Sequence, residues 1–306
     1  MAALMVRGLT REYAGGGGIR DISFAAEDRA VTAVIGPNGA GKTVLFTLIA
    51  GLARPQAGSI SFANERPRVA YCPDVPQFEP WLTALEVVTT SLSLAPPAAR
   101  MKVANTLPMA PEAALEACGL RAVMHRRVAD FSRGMLQRLG IAAALVNEPE
   151  ILILDEPSSA LDPIGRAEIR EIIRTQKNRR CILLSSHLLS EVEQLADSIV
   201  VLDQGRVVAS GTPDSILIQG LEPTWVIRFG APPLVDAATI SASFPGVKLE
   251  SSSPTLWSAG FESFQDAERH LSALLSACNA PLLEVTLRDR DLDASFARLV
   301  SKVGAS

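Results

Sequence analysis

The stretch GPNGAGKT at positions 36–43 restricts the possible folds of this chain more than any other part of the sequence. It fits the pattern G-x-x-x-x-G-K-[ST] at every fixed position, follows the apolar run Val31–Ile35 and leads into a helical pattern over Lys42–Ala50. A strand, a glycine-rich turn and a helix in this order aim backbone N–H groups and a helix N-terminus at one anion. The sequence therefore predicts an α/β fold with a phosphate-binding loop (P-loop) at a strand end.

The side chains of this loop indicate a nucleotide with magnesium. Its glycines allow the backbone to wrap the anion, Lys42 reaches the β- and γ-phosphates, and the Thr43 hydroxyl ligates Mg²⁺. A glycine-rich turn without a ligand has no need for a lysine and a threonine at these two positions. The predicted nucleotide contacts of the loop are Gly36, Pro37, Asn38, Gly39, Ala40, Gly41, Lys42 and Thr43.

A second motif, ILILDEP at positions 151–157, places two acids at the end of an apolar strand. In an open α/β sheet, ligands bind at the carboxyl ends of the strands. We therefore expect Asp155 to hold Mg²⁺ through water and Glu156 to polarise the attacking water. The alternative is an acidic strand end that simply faces solvent, but the phosphate loop elsewhere in the chain favours the functional interpretation.

Ser132 and Gly134 stand at the start of a helix that is apolar almost all round, in the segment DFSRGMLQRLG. A serine at this place can be an ordinary helix cap, but its hydroxyl, the first N–H groups and the helix dipole together also bind an anion. Because the phosphate loop already forms a complete cradle, a second anion site predicts contact with a nucleotide that is held by another subunit.

The order of the elements predicts two domains. In residues 1–219, short antiparallel strands come first, and fully apolar strands then alternate with helices, which is typical of a parallel sheet covered on both faces. Mostly helical sequence at about 78–148 interrupts this alternation and is predicted to form an inserted subdomain. Residues 222–306 are predicted to form a small α+β domain with the β-α-β-β-α-β order of a ferredoxin-like fold, followed by a helix over Leu292–Val300.

Composition narrows the class of partner. The formal net charge of −4 does not favour nucleic acid. The four cysteines are widely spaced and form no C-x-x-C, which predicts buried, reduced thiols.

No apolar run approaches the ~18 residues that a transmembrane helix needs. The charged residue Arg7 also leaves the first apolar stretch too short for a signal peptide.

These motifs together resemble the nucleotide-binding subunits of ABC transporters over residues 1 to about 215. FSRGMLQRL is similar to the family signature Leu-Ser-Gly-Gly-Gln, with Arg133 and Met135 as departures, while Ser132 and Gly134 are retained. SSALDP resembles the D-loop of the family, which implies that Asp162 lies at a subunit seam.

The resemblance implies three further nucleotide contacts. His187 in LLSSHLL resembles the switch histidine that contacts the γ-phosphate, although a histidine at a strand end is also a frequent cap. Tyr13 lies where the family has an aromatic residue that stacks on adenine, and its alternative role is packing in a hairpin. The Q-loop glutamine of the family corresponds to Asp74, one residue after Pro73, and Gln77 is the alternative.

An acid at the Q-loop position, the segment SRGM and an additional C-terminal domain resemble the branch of exporters that pump drugs, antibiotics or polymers. The resemblance implies an ATPase that uses ATP and Mg²⁺, with Glu156, His187 and Lys42 as its catalytic groups. Its implied partners are a second ATP-binding subunit, identical or different, and an integral membrane permease. The implied location is peripheral, at the cytoplasmic face of the cell membrane.

Two other functions compete with this interpretation. The first is an ABC ATPase that acts on DNA or ribosomes, but such proteins carry two ATPase units, long coiled coils or zinc sites, none of which is visible in this sequence. The second is a regulatory or immunity protein in which ATP binding matters and turnover does not. The presence of both Glu156 and His187 favours turnover.

Overall fold

The computed structural model describes residues 2–65, 67–94, 108–288, 296, 298 and 299. Within it the chain divides into two compact units, residues 1–216 and 217–306. The helix predicted over 292–300 lies outside the described residues, apart from the helical positions 296, 298 and 299. Among the described residues, no helix combines the length and the apolar character that crossing a bilayer requires.

The first unit contains two sheets. Its strands are β1 Ala2–Glu12, β2 Gly18–Glu27, β3 Val31–Ile35, β4 Ala57–Phe62, β5 Val69–Cys72, β6 Ile151–Leu154, β7 Cys181–Ser186, β8 Ser198–Asp203 and β9 Arg206–Gly211. The larger sheet has the order β5-β6-β7-β3-β8-β9, in which the first five strands are parallel and β9 is antiparallel. The smaller sheet is antiparallel, with the order β2-β1-β4.

The helices of this unit follow or separate its strands along the chain. They are α1 Lys42–Ile49, α2 Ala84–Leu94, α3 Pro111–Ala117, α4 Arg133–Leu145, α5 Pro163–Lys177, α6 Leu189–Leu195 and α7 Pro213–Gly220, of which the last reaches into the second unit. One core cluster joins α1 to the antiparallel sheet, and another joins the helices of the predicted insertion to α5 and to β5, β6 and β7. Since α4 belongs to that second cluster, its apolar residues on several faces are buried.

The register of the parallel strands gathers their carboxyl ends at one edge. Cys72 pairs with Leu154, Leu154 pairs with Leu184, and Ile35 pairs with Ser186. The chain therefore leaves four neighbouring strands at the same level, and the segments that follow them come together. This edge carries the phosphate loop after β3 and the two acids after β6.

The second unit has a sheet of its own. Its elements are β10 Thr224–Phe229, α8 Ala237–Ala242, β11 Lys248–Ser253, β12 Leu256–Gly260, α9 Phe264–Ala277 and β13 Leu282–Leu287. The four strands are antiparallel in the order β11-β12-β10-β13. Ring pairs such as Phe229–Trp257, with centroids 5.5 Å apart, pack in its core. A cleft of about 620 Å³ runs along α9 between Phe264 and Leu275, beside Trp225 and Leu282.

Candidate functional site

The phosphate loop and the acids after β6 line one cavity of about 290 Å³. Its walls combine the loop backbone, one lysine and three carboxylates. The lining residues are Gly18, Pro37, Asn38, Gly39, Ala40, Gly41, Lys42, Thr43, Val44, Asp74, Asp155 and Glu156. The structure thus brings together residues that lie more than a hundred positions apart in the sequence, and the volume is that of a small phosphate-binding pocket.

The backbone of the loop depends on glycine at two places. Gly41 has a φ of +102°, and a Cβ atom there would lie 2.6 Å from the Ile19 side chain and 2.8 Å from the Gly18 carbonyl oxygen. Gly36 lies so close to the neighbouring strand that a Cβ atom would lie 2.3 Å from the Leu202 carbonyl oxygen. Any other residue at these two positions would push the loop away from β2 and β8, the strands against which it lies.

Lys42 begins α1 and is almost completely buried. Its ammonium group donates to the Gly36 carbonyl oxygen at 2.8 Å and lies 3.4 Å from the Glu156 carboxylate. A buried cation needs such partners because it has lost its water. A phosphate in the cavity would offer Lys42 a stronger anionic partner, with the Gly36 carbonyl still in place to orient the amine.

The Asp155 carboxylate is buried and accepts hydrogen bonds from three hydroxyl groups. Thr43 donates to its Oδ2 atom at 2.8 Å, Tyr71 donates to the same oxygen at 3.1 Å, and Ser185 donates to Oδ1 at 2.6 Å. Burial, followed by the charge of Asp155, raises the pKa of Tyr71 far above its ordinary value, so its hydroxyl remains a proton donor. The carboxylate is therefore fixed in one orientation beside the loop.

Glu156 lies in a backbone conformation that glutamate rarely adopts, with a φ of +47°. Its N–H group donates to the Ser185 hydroxyl at 2.7 Å, and its carboxylate lies 2.6 Å from the Nδ1 atom of His187. The His187 backbone N–H also approaches this carboxylate, at 3.3 Å. Glu156 thus lies between Lys42 and the half-exposed His187, in the wall of the cavity that the phosphate loop also lines.

Asp74 follows β5 and lines the same cavity, whereas the alternative residue Gln77 is exposed and is not one of the lining residues. Burial, and next the negative charge of Glu156, raises the pKa of Asp74, while Arg133 and His187 act in the opposite direction. The buried Oδ1 atom of Asp74 has no hydrogen-bond partner. Asp74 therefore presents an unused acceptor next to the other acids.

Comparisons with known proteins agree with this geometry. The family model described as ABC transporter matches residues 19–159. The Nod factor export ATP-binding protein I of Rhizobium leguminosarum bv. viciae is 32% identical over 98% of this chain and 95% of its own length. The chain belongs to the family of ABC transporter ATP-binding proteins. It is thus an ATP-binding and ATP-hydrolysing subunit of the kind that serves transporters.

Two other similarities support the same family. The lantibiotic transport ATP-binding protein SrtF of Streptococcus pyogenes is 36% identical over 67% of this chain and 89% of its own length. A solved ATP-binding subunit of an ABC transporter superimposes with a TM-score of 0.60 at 32% identity, and the match covers 70% of this chain and 91% of the other.

His187, which contacts Glu156, is not one of the residues that line the cavity. Ser132, Gly134 and Asp162, which the ABC resemblance also implicates, lie outside the lining as well. Ser132 caps α4 by accepting from the Met135 N–H group at 3.3 Å, and Gly134 lies in the first turn of this helix. Asp162 caps α5 by accepting from the Gly165 N–H group at 2.7 Å. A role of these residues toward a nucleotide on a second ABC subunit remains a prediction.

Tyr13, the candidate adenine partner of this ABC protein, follows β1 and is 45% exposed. It is also not one of the residues that line the cavity. The Arg11 guanidinium lies 5.2 Å from the centre of its ring. One face of the ring is thereby engaged in a cation–π contact, and stacking on adenine would need the other face. The adenine role therefore also stays a prediction.

Tyr71 and Ser185 are contacts of the acids that the motifs do not identify. Both are polar residues within apolar strands, near the carboxyl ends of β5 and β7, which flank β6. That pattern was visible in the sequence, but it identifies these residues only once the order of the strands is known.

Proposed function

We propose that this chain is the ATPase subunit of an exporter and that it drives a separate membrane permease. The observation that carries the proposal is the position of Glu156, between Lys42 and His187 and beside the phosphate loop. The named functions of the relatives, lantibiotic transport and Nod factor export, favour export over the regulatory and nucleic-acid alternatives. The proposed location is the cytoplasmic face of the membrane, through the permease.

In the proposed reaction the chain supplies position and charge, which is most of what phosphoryl transfer requires. Lys42 and the loop N–H groups bind the β- and γ-phosphates. The Glu156 carboxylate accepts a hydrogen bond from the attacking water and aims it at the γ-phosphate. His187, held against that carboxylate, contacts the γ-phosphate from the other side of the water.

Thr43 and Asp155 form a donor set that fits magnesium. Mg²⁺ prefers oxygen ligands and is usually held by one or two protein groups together with substrate phosphates. No group of three His, Cys, Asp or Glu side chains suited to a metal ion occurs in the described part of the chain, which fits an ion held largely by the nucleotide. When bound, this ion neutralises charge on the phosphates. Asp74, with its unpaired oxygen, is proposed as an additional acceptor for the ion or for water.

We propose that two ATP-binding subunits enclose each nucleotide. In one subunit the loop of residues 36–43 binds the phosphates, and in the other the start of α4, with Ser132 and Gly134, covers the γ-phosphate. Asp162 would lie at the seam. The start of α4 supports this role, because within the described residues Ser132 accepts only from the N–H groups of Met135 and Leu136, and the first N–H groups of a helix are donors that an anion can use.

The segment 75–81 is proposed as the docking loop for the permease. Val75 is 56% exposed and Trp81 is 63% exposed, so this short segment presents two large apolar side chains to a partner. The same segment begins directly after Asp74, which lines the nucleotide cavity. A change at the nucleotide therefore has a short path to a partner on this surface.

Replacement of both Val75 and Trp81 by Asp is expected to reduce capture of the permease at least tenfold, because the apolar contact area would be replaced by charge. The measurement is co-purification in detergent with the membrane protein whose gene adjoins this one. ATP hydrolysis by the isolated subunit should change little. Leu52→Asp is the matched control, since Leu52 is 66% exposed at a different place. Equal capture by the double variant and by the control would contradict the docking loop.

Residues 222–306 are proposed as a non-catalytic accessory domain with a ferredoxin-like fold. The strand order β11-β12-β10-β13 and the β-α-β-β-α-β sequence support that assignment. Its proposed role is to stabilise the dimer or the contact with the permease. The cleft along α9 is the observation that favours a second role, the sensing of a small apolar molecule.

Truncation after Gln219 is expected to leave the ATP Kd almost unchanged, because every nucleotide contact proposed above precedes that residue. Dimer lifetime with ATP, or assembly with the permease, should decrease. Calorimetric titration with ATP and chromatography of the assembled complex measure the two effects. If the truncated protein is folded by circular dichroism but does not bind ATP, the accessory role is wrong.

A further inference from the structure

Ser185 is a fully buried hydroxyl in β7, a strand whose preceding residues Ile182–Leu184 are all aliphatic. A buried hydroxyl is normally retained only where it has hydrogen-bond partners. β7 lies next to β6, with Leu184 opposite Leu154, so Ser185 stands beside the point where the chain enters Asp155 and Glu156. Its position is therefore set by the sheet and does not depend on a mobile loop.

The Ser185 hydroxyl joins the two acids. It donates to the Asp155 carboxylate at 2.6 Å and accepts from the Glu156 N–H group at 2.7 Å. On the other side of the carboxylate, the Tyr71 hydroxyl donates to Oδ2 at 3.1 Å. The Ser185 hydroxyl thus fixes both the Asp155 side chain and the Glu156 backbone, whereas the Tyr71 hydroxyl fixes only the Asp155 side chain.

The Glu156 backbone needs such a restraint. Its left-handed conformation, with a φ of +47°, is unfavourable in a residue with a Cβ atom, and strained residues persist where their surroundings hold them. The hydrogen bond from the Glu156 N–H group to the Ser185 hydroxyl provides that restraint. Without it, the backbone could relax and move the carboxylate relative to Lys42 and His187.

We propose that Ser185 and Tyr71 are positioning residues for ATP hydrolysis. Ser185 sets both the Asp155 carboxylate and the backbone of Glu156, and Tyr71 sets the Asp155 carboxylate alone. This inference rests on the roles proposed above for Asp155 and Glu156. Removal of the two hydroxyl groups should therefore have different effects. Loss of the Ser185 hydroxyl should disturb both the orientation of the attacking water and the binding of the metal, whereas loss of the Tyr71 hydroxyl should disturb only the binding of the metal.

The test compares the full-length variants Ser185→Ala, Ser185→Thr and Tyr71→Phe. Ser185→Ala should lower kcat by roughly 10- to 100-fold, since a displacement of about 1 Å has an effect of this size. Its affinity for ATP in EDTA should not change, because the phosphate loop is intact. Ser185→Thr keeps the hydroxyl and should recover most of kcat. Tyr71→Phe should raise the Mg²⁺ concentration needed for half-maximal rate, with a smaller effect on kcat at saturating Mg²⁺.

Thr32→Val is the matched control. Thr32 is a fully buried hydroxyl in the adjacent strand β3, bonded to Ser198 at 3.0 Å, and the structure shows no hydrogen bond from it to the acids. It should lose thermal stability but keep kcat and the Mg²⁺ dependence. If Ser185→Ala behaves like Thr32→Val, or weakens ATP binding in EDTA as much as it lowers kcat, the inference is overturned. Glu156→Gln distinguishes a failure of the proposed function from a failure of this inference. If Glu156→Gln is active, the proposed role of Glu156 itself is wrong. If Glu156→Gln is inactive but Ser185→Ala has a normal kcat, only the positioning role of Ser185 is wrong.

Discussion

Glu156→Gln is expected to retain ATP binding and to lose nearly all hydrolysis. The amide keeps the shape of the side chain but no longer accepts the proton of the attacking water, and such a group contributes roughly 10²–10⁴-fold to a rate. Removing the charge also frees Lys42 from the anionic partner that lies 3.4 Å away, which favours phosphate binding. The measurement is single-turnover hydrolysis together with ATP titration.

The same variant tests the dimer. If closure requires ATP and opening requires hydrolysis, Glu156→Gln with ATP and Mg²⁺ should elute as a dimer at micromolar concentration, and the wild type should return to monomer as ATP is consumed. Glu168→Gln makes the same chemical change on the exposed face of α5 and serves as the control. A Glu156→Gln protein that stays monomeric with ATP would count against the enclosed nucleotide.

The parallel core was predictable from the sequence for a physical reason. The strands β3, β5 and β6 coincide with the runs Val31–Ile35, Val69–Cys72 and Ile151–Leu154 that the sequence predicts, because each is mostly apolar without alternation, which is typical of a parallel sheet covered on both faces. The strands β1 and β2 extend beyond the runs Leu4–Leu9 and Ile22–Phe24 that the sequence predicts, since their exposed positions are polar and weaken the pattern. The strand β9 was not predicted, because it is a half-exposed edge strand, and the helix α7 was not predicted either.

The site was predictable where a local motif fixes the chemistry. The loop of residues 36–43 and the pair Asp155–Glu156 are runs of adjacent residues whose proposed roles follow from a single motif each, and residues 37–43 line one cavity with the two acids. Ser185 and Tyr71 carry no motif, and they reach Asp155 only through the register of three strands that are distant in sequence. Sequence periodicity gives which face of a strand is buried, but not which strands are neighbours.

The second large effect is expected when two inactive variants are mixed. Lys42→Ala removes the phosphate-binding cation, and Ser132→Arg places a bulky group at the start of α4, so each homodimer should hydrolyse almost no ATP. In a heterodimer of the two, one site combines Lys42 of the Ser132→Arg chain with Ser132 of the Lys42→Ala chain and is intact. If the sites are independent, a mixture at equal concentration should recover about a quarter of wild-type activity.

Ser132→Asp provides a sharper version of this experiment. Aspartate is as good a helix cap as serine, so the bond to the Met135 N–H group and the stability of α4 should be retained. Its negative charge, however, would face the γ-phosphate of the partner's nucleotide and repel it. Loss of activity in this variant, with the cap preserved, therefore reports on the nucleotide contact and not on folding.

A mixture without activity has two explanations, which a cross-link separates. All four native cysteines are buried, so a cysteine introduced at the exposed residue Ala160, two positions before Asp162, is the accessible thiol. If this thiol cross-links two chains in an ATP-dependent manner, the seam exists, and an inactive mixture then means that the two sites hydrolyse only together. If ATP produces no cross-link and the mixture is inactive, the composite site is wrong, and Ser132→Arg then loses activity through damage to the helix that Ser132 caps and not through a lost contact with the partner's nucleotide.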